Sequence, residues 1–173
     1  MKYTGRDILL GGLLVALATV IPILFHAVGL GSAFLPMFYP ILLAGFLTPV
    51  PVALTVGLVS PLASALLTGM PPLFPPVAFV MMAEGIVLSF VPSVLYRKHK
   101  INIWLTLTVA VILERIVLLA AVILFALFLK LPQQVLGIVS LVHGLPGIVL
   151  MFVVIPPLVK EFEKRMNTMV VTE

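Results

Sequence analysis

The chain has 173 residues, of which 62% are apolar and only 9% charged, whereas a soluble domain carries about 25% charged residues. That much apolar surface exceeds what a water-soluble fold of this size can hide, so the composition points to a single bundle embedded in a membrane. The net charge of +4 does not indicate nucleic acid, because the basic residues fall in short clusters beside apolar runs; with no cysteine in the chain, disulfides, thiol catalysis and cysteine-ligated metals are excluded.

Six spans fit in chain order: Ile8–Val28, Met37–Thr48, Val52–Thr68, Val77–Tyr96, Ile103–Leu129 and Val135–Val159. Lys2 and Arg6 before the first run resemble the start of a signal peptide, and Ala16-Leu-Ala18 has the form of a cleavage site. That tripeptide lies inside the apolar run rather than after it, so the segment reads as a retained helix. Spans two and three fall short of the roughly 20 residues a crossing needs. Pro40 interrupts span two near its start, and short spans with Pro and Gly suit segments buried by neighbouring helices. Thr48-Pro-Val-Pro51 reads as a turn, since two prolines so close would disrupt a continuous helix. Merging spans two and three into one would give four spans, and the turn argues against it.

Eight of the ten basic residues flank the chain's start, the Arg97–Lys100 turn and the end of span six. Placing them all on the cytoplasmic side requires an even number of spans with both termini inside. The expected fold is therefore an all-α membrane protein, a six-transmembrane-helix bundle forming one domain over residues 1–173 and sitting as a multi-pass protein in the cell membrane. The outer connections then include Gly29–Pro36 and Gly69–Pro76, rich in Gly and Pro and poor in charge, which favours turning backbone. Phe34, Phe38, Tyr39 and Phe74 lie on or beside these loops. They read either as interfacial belt aromatics or as a lid over a pocket. The Pro-rich pattern of the first half has no counterpart after Lys100, which weakens transporter classes built from paired halves.

Ionisable groups within apolar runs are the candidates for function. Glu84 is about 10 Å inside span four at helical rise, His143 at similar depth in span six, and Arg115 roughly 20 Å in, close to the midplane. All three could border one cavity open to the outside. Glu114 and Arg115 are consecutive and diverge by about 100°, so only one points squarely into such a cavity. Arg115 is read either as an ion-pair partner of Glu84 or as the counter-charge for an anionic ligand. His143 precedes Gly144-Leu-Pro146-Gly147 and either caps a carbonyl freed there or faces ligand. His26 is one turn past Pro22 and is expected to bond local backbone. Met81 and Met82 read as packing residues, with one of them able to touch a ligand. Gly12 and Ala16 form a small-xxx-small pair that lets another helix approach, inside the bundle or from a partner. No catalytic, metal or nucleotide-binding spacing is present, so ATP-driven work would need a partner.

Phe34-Leu-Pro-Met-Phe-Tyr-Pro-Ile-Leu-Leu-Ala-Gly-Phe46, read with Val56-Gly-Leu-Val-Ser-Pro-Leu-Ala-Ser-Ala-Leu-Leu-Thr-Gly-Met-Pro-Pro-Leu-Phe-Pro75, resembles the S component of energy-coupling factor (ECF) vitamin transporters. The likeness extends through Glu84 to Tyr96-Arg97 and, more loosely, through all six spans. The family's first-helix motif, usually Ala-xxx-Ala, appears as Gly12-xxx-Ala16, and Phe38-Tyr39 stands where many relatives carry His-Ile. The resemblance implies a six-helix fold that binds a vitamin from outside, under the first and third loops. It also implies docking of the first three helices on a membrane T subunit and toppling driven by two cytoplasmic ATPases. With no catalytic, metal or nucleotide-binding spacing in the chain, the expectation is no enzyme, no metal and no cofactor of its own, ATP being used by the partner subunits.

The substrate-binding set expected from these readings is Phe34, Phe38, Tyr39, Phe74, Met81, Glu84, Arg115 and His143, with Gly12 and Ala16 for partner docking. An aromatic cavity with few polar groups suits a small, partly apolar vitamin, and Arg115 with His143 favours an anion such as pantothenate or niacin. Two other functions compete: a stand-alone transporter or channel without ATPases, and an intramembrane enzyme using Glu84, Glu114 and His143 as acid or base.

Overall fold

In the computed structural model, residues 3–74, 76–129 and 144–171 are described. They fold as α-helices with no strand among the described residues. The helices are α1 (Gly5–Ala27), α2 (Gly31–Phe34), α3 (Phe38–Leu47), α4 (Val50–Thr68), α5 (Val77–Pro92), α6 (Ile103–Leu129) and α7 (Leu145–Val171). Five segments are long and apolar enough to cross a membrane: α1, α4, α5 with its C-terminal extension, α6 and α7. The Gly31–Leu47 stretch is apolar but shorter. The expected start of span six at Val135 and the candidate His143 lie outside the described residues.

Local chemistry sets the ends. Thr4 and Asp7 form a reciprocal capping box at the start of α1: the Thr4 Oγ1 accepts from the Asp7 N–H at 3.3 Å, and the Asp7 carboxylate accepts from the Thr4 N–H at 2.8 Å. Thr48 to Pro51 separates α3 from α4, with Pro49 extended at the N-cap and Pro51 in the first turn of α4, where no intrahelical N–H is needed. Pro40 does not break α3. It falls in that helix's first turn, where its missing N–H leaves no bond unmade. Asn102 Oδ1 accepts the Trp104 N–H at 2.8 Å and caps α6. After Pro92, α5 widens into a π-helical turn, Ser93–Lys98. The Ser93 hydroxyl there donates to the Thr48 carbonyl at 3.0 Å and ties α5 to the α3–α4 turn.

The short α3 is the core of the bundle. Eight of its ten residues are buried, Phe38, Ile41, Leu42 and Phe46 among them, as expected for a helix apolar on every side. It touches α1, α4, α5 and α7, while α4 packs on α1 and α5, and α6 on α5. Small residues allow the closest approaches. A Cβ on Gly57 of α4 would meet the Gly85 carbonyl of α5, one on Gly85 would meet that of Gly57, and one on Gly45 of α3 would come within 2.5 Å of the Ser89 carbonyl oxygen. On α1, Gly11 faces inward, where a Cβ would lie 2.7 Å from Val52 Cγ1. Gly12 faces open space. Gly12 and Ala16 are thus on the exposed side of α1, flanked by exposed Leu9, Leu13 and Leu17. At the basic end, the Tyr96 hydroxyl donates to Glu163 Oε2 of α7 at 2.9 Å and its ring meets Phe46 edge-on.

Candidate binding cavity

Near the end of the bundle formed by the α1–α3 and α4–α5 connections lies a cavity of about 570 Å³, within the range of small-molecule sites. Helical periodicity explains its walls. Val77, Val80, Met81 and Glu84 repeat at three- and four-residue intervals along one face of α5, and Arg115, Leu118, Val122 and Phe125 do so on α6. From α1 come Pro22, Ile23 and His26. The α2–α3 segment adds Leu35, Pro36, Met37 and Phe38, and the loop after α4 adds Met70, Pro71 and Pro72.

Polar groups gather at the deep end. Glu84 is 3% exposed and Glu114 1%, and their carboxyl groups face each other, with the Arg115 guanidinium in range of both. The Arg115 Nε donates to Glu114 Oε2 at 2.7 Å. Of the three groups, Glu84 and Arg115 line the cavity. The bond that Arg115 makes is thus to its own neighbour, Glu114. The Cβ directions of consecutive residues diverge, but the long Arg stem bends back far enough to meet Glu114. Two buried atoms of this cluster, Oε1 of Glu114 and Nη1 of Arg115, have no hydrogen-bond partner among the described residues.

Both loops contribute residues to the cavity lining, and specific bonds fix each of them. The Tyr39 hydroxyl donates to the Gly147 carbonyl of α7 at 3.0 Å, and Gly147 lies so close to the Ala33 and Phe34 carbonyls that a Cβ there would collide. The Ser64 hydroxyl of α4 donates to the Met70 carbonyl at 2.7 Å and the Thr68 hydroxyl accepts the Met70 N–H at 3.2 Å, holding the second loop. Tyr39→Phe removes one interhelical hydrogen bond, a loss of about 0.6 kcal/mol by analogy with other membrane bundles. The expected outcome is a small drop in unfolding temperature in detergent with ligand capture intact; a large loss of capture would instead make Tyr39 a ligand contact.

The expected set of binding residues therefore divides. Phe38, Met81, Glu84 and Arg115 come together at one cavity. Phe34 and Tyr39 do not line it: the Phe34 ring packs on Phe25 at 5.9 Å and Tyr39 bonds Gly147. Phe74 is 79% exposed, and His143 lies outside the described residues. His26 departs from expectation. Its side chain makes no hydrogen bond to local backbone; the ring packs over Gly31 and lines the cavity. Lining residues not anticipated are Pro22, Ser64, Thr68 and the α6 face beyond Arg115. That face was readable from helical spacing once Arg115 was placed.

Neither the curated proteins nor the solved structures contain a match to this chain. A family model described as "ECF transporter, substrate-specific component" matches residues 6–159. That match takes in α1 to α6 and most of α7, the cavity walls included, and the chain therefore belongs to the substrate-specific component family of ECF transporters.

Proposed function

We propose that this chain is the capture subunit of an ATP-driven uptake system in the cell membrane. It takes a small water-soluble vitamin or related micronutrient from the outer side, one carrying an anionic group, as pantothenate and niacin do. The reading includes six spans with both termini cytoplasmic, a membrane T subunit as docking partner and two cytoplasmic ATPases that supply the energy. The observation that carries it is the cavity of about 570 Å³ with Arg115 at its deep end and a largely apolar wall. Such a site suits a compact, partly apolar ligand with one charged group, and the Nη edge of Arg115 is the part of the guanidinium left over by Glu114.

Docking is supported by Gly12 and Ala16 on the exposed side of α1, with open space beside Gly12. Small residues there permit a second helix to approach closely. The inward-facing Gly11 serves the internal packing, leaving the Gly12 face for a partner.

The test is reconstitution. Proteoliposomes with this chain, a T subunit and two ATPases are expected to accumulate radiolabelled vitamin only when ATP is enclosed, while the chain alone binds without transporting. Uptake by the chain alone would refute the proposal in favour of a stand-alone transporter.

A further inference from the structure

Two carboxyl groups and one guanidinium meet at the deep end of the cavity. With both carboxyl groups ionised the cluster would have a net negative charge at membrane depth, where an uncompensated charge is costly. Two carboxyl groups set face to face avoid that cost by holding one proton between them. The hydrogen bonds show which of them holds it. Glu114 Oε2 takes the Arg115 Nε–H at 2.7 Å, so Glu114 is the ionised member. Its Oε1 is buried and receives no donor among the described residues, while the Glu84 carboxyl group faces it from α5. A carboxylate only accepts, whereas a carboxylic acid supplies one O–H. Arg115 is in range of Glu84 yet makes no hydrogen bond to it, and its Nη1 is buried without a partner among the described residues. A Glu84 carboxylate beside that free donor would be expected to take it.

The other elements packed on α5 bring no further charge to this point. α4 has no titratable residue, and α3 has only Tyr39, whose hydroxyl is given to the Gly147 carbonyl. The extension of α5 carries Tyr96, Arg97 and Lys98, more than three turns beyond Glu84. His26 of α1 is exposed, at the loop end of the cavity.

We infer that Glu84 is held as the carboxylic acid and donates its proton to Glu114 Oε1, and that this shared proton keeps the Nη edge of Arg115 open for the acid group of the ligand. Without the proton, Glu84 would be a second carboxylate within reach of the same guanidinium and would compete with the ligand for it. Glu84 and Glu114 are thus positioning residues for Arg115. The second half of the inference rests on the capture reading above and deepens it: an anion finds Arg115 available because the nearest built-in rival is neutral.

The experiment places the full chain in nanodiscs at about pH 8, where a carboxyl group in water is ionised. Infrared spectra in light and heavy water then read the carbonyl stretch of protonated carboxylic acids. The chain has six Asp and Glu residues, and the wild type is expected to show a heavy-water-sensitive band equivalent to one carboxylic acid. Glu84→Gln is expected to remove it. Glu114→Gln is expected to remove it too, because Glu84 is then the remaining carboxyl partner of Arg115 and ionises, releasing its proton to solvent. The same nanodiscs are offered an equimolar pool of pantothenate, biotin and nicotinate, each a carboxylate, and retained compounds are read by native mass spectrometry. Glu114→Gln is expected to lower retention of the acid that the wild type keeps at least about tenfold, roughly one charge-assisted contact, although Arg115 itself is unchanged. Adding Glu84→Gln removes the rival and is expected to raise retention again at least about threefold.

Absence of the band from the wild type, or its survival in Glu84→Gln or Glu114→Gln, overturns the shared proton. If a variant fails to fold, the wild-type band decides. Full retention by Glu114→Gln, or no recovery in a folded double variant, overturns the role of that proton in keeping Arg115 open. Retention of none of the three acids by the wild type overturns the anion-capture reading, and the band then decides the shared proton by itself.

Discussion

Arg115→Ala is expected to lower retention of the captured vitamin at least about a hundredfold, equivalent to about 2.7 kcal/mol, and to destabilise the bundle as well. The first effect follows from removing the guanidinium at the cavity's deep end. The second follows from Glu114, which is 1% exposed and has its Oε2 bonded to Arg115. Removing one partner of a buried pair leaves the other charge uncompensated, at a cost of about 3–5 kcal/mol in the general case. The two effects are separable. Replacing both residues, Glu114→Gln with Arg115→Gln, removes the stranded charge and is expected to recover most of the lost thermal stability in detergent. Capture should remain lost. Recovery of capture in the double variant would remove Arg115 from the binding machinery, and a fully stable Arg115→Ala would mean that Glu114 does not depend on it.

Charge and hydropathy made much of this visible before any coordinates. Basic clusters and apolar runs outlined the helices, and the Pro49–Pro51 pair located the break between α3 and α4. Four of the residues expected at the site, Phe38, Met81, Glu84 and Arg115, meet at one cavity because each stands on a helix face whose direction the 3.6-residue period defines. The pairing of Arg115 was not legible. Spacing fixes where a Cβ points, whereas a long, flexible stem decides where its charged head comes to rest, and that head returned to Glu114. The Tyr39 bond was hidden for a similar reason: an aromatic beside a loop reads as ligand-facing, and nothing in it points to the Gly147 carbonyl 108 positions away that its hydroxyl meets. A sequence carries no mark of such a long-range partner. The Ser64 hydroxyl was likewise hidden, since helical Ser and Thr usually bond their own i−4 carbonyl, as Ser60 does at 2.7 Å and Thr68 at 2.8 Å.

Glycine placement divides in the same way, and it yields the other large expected effect. Gly57→Leu or Gly85→Leu is expected to abolish recovery of folded protein, because α4 and α5 touch backbone to backbone at these two positions. A side chain there meets a carbonyl on a rigid helix rather than the flexible end of another side chain. The helices must then separate, taking Ser89 and Gly45 with them, since α3 and α5 are just as close at that level. Overpacking of a close-packed core costs about 1–3 kcal/mol when neighbours can adjust, and more where the obstacle is main chain, so a loss above about 3 kcal/mol is expected. Gly12→Leu provides the contrast: it adds the same side chain to the same kind of helix, but in open space on the exposed side of α1. That variant is expected to elute from size-exclusion chromatography and unfold in detergent as the wild type does, and to lose only assembly with the T subunit. If Gly57→Leu and Gly85→Leu matched wild-type yield and unfolding temperature, the α4–α5 contact would not be the seam that holds Glu84 against Arg115, and the cavity would need another scaffold.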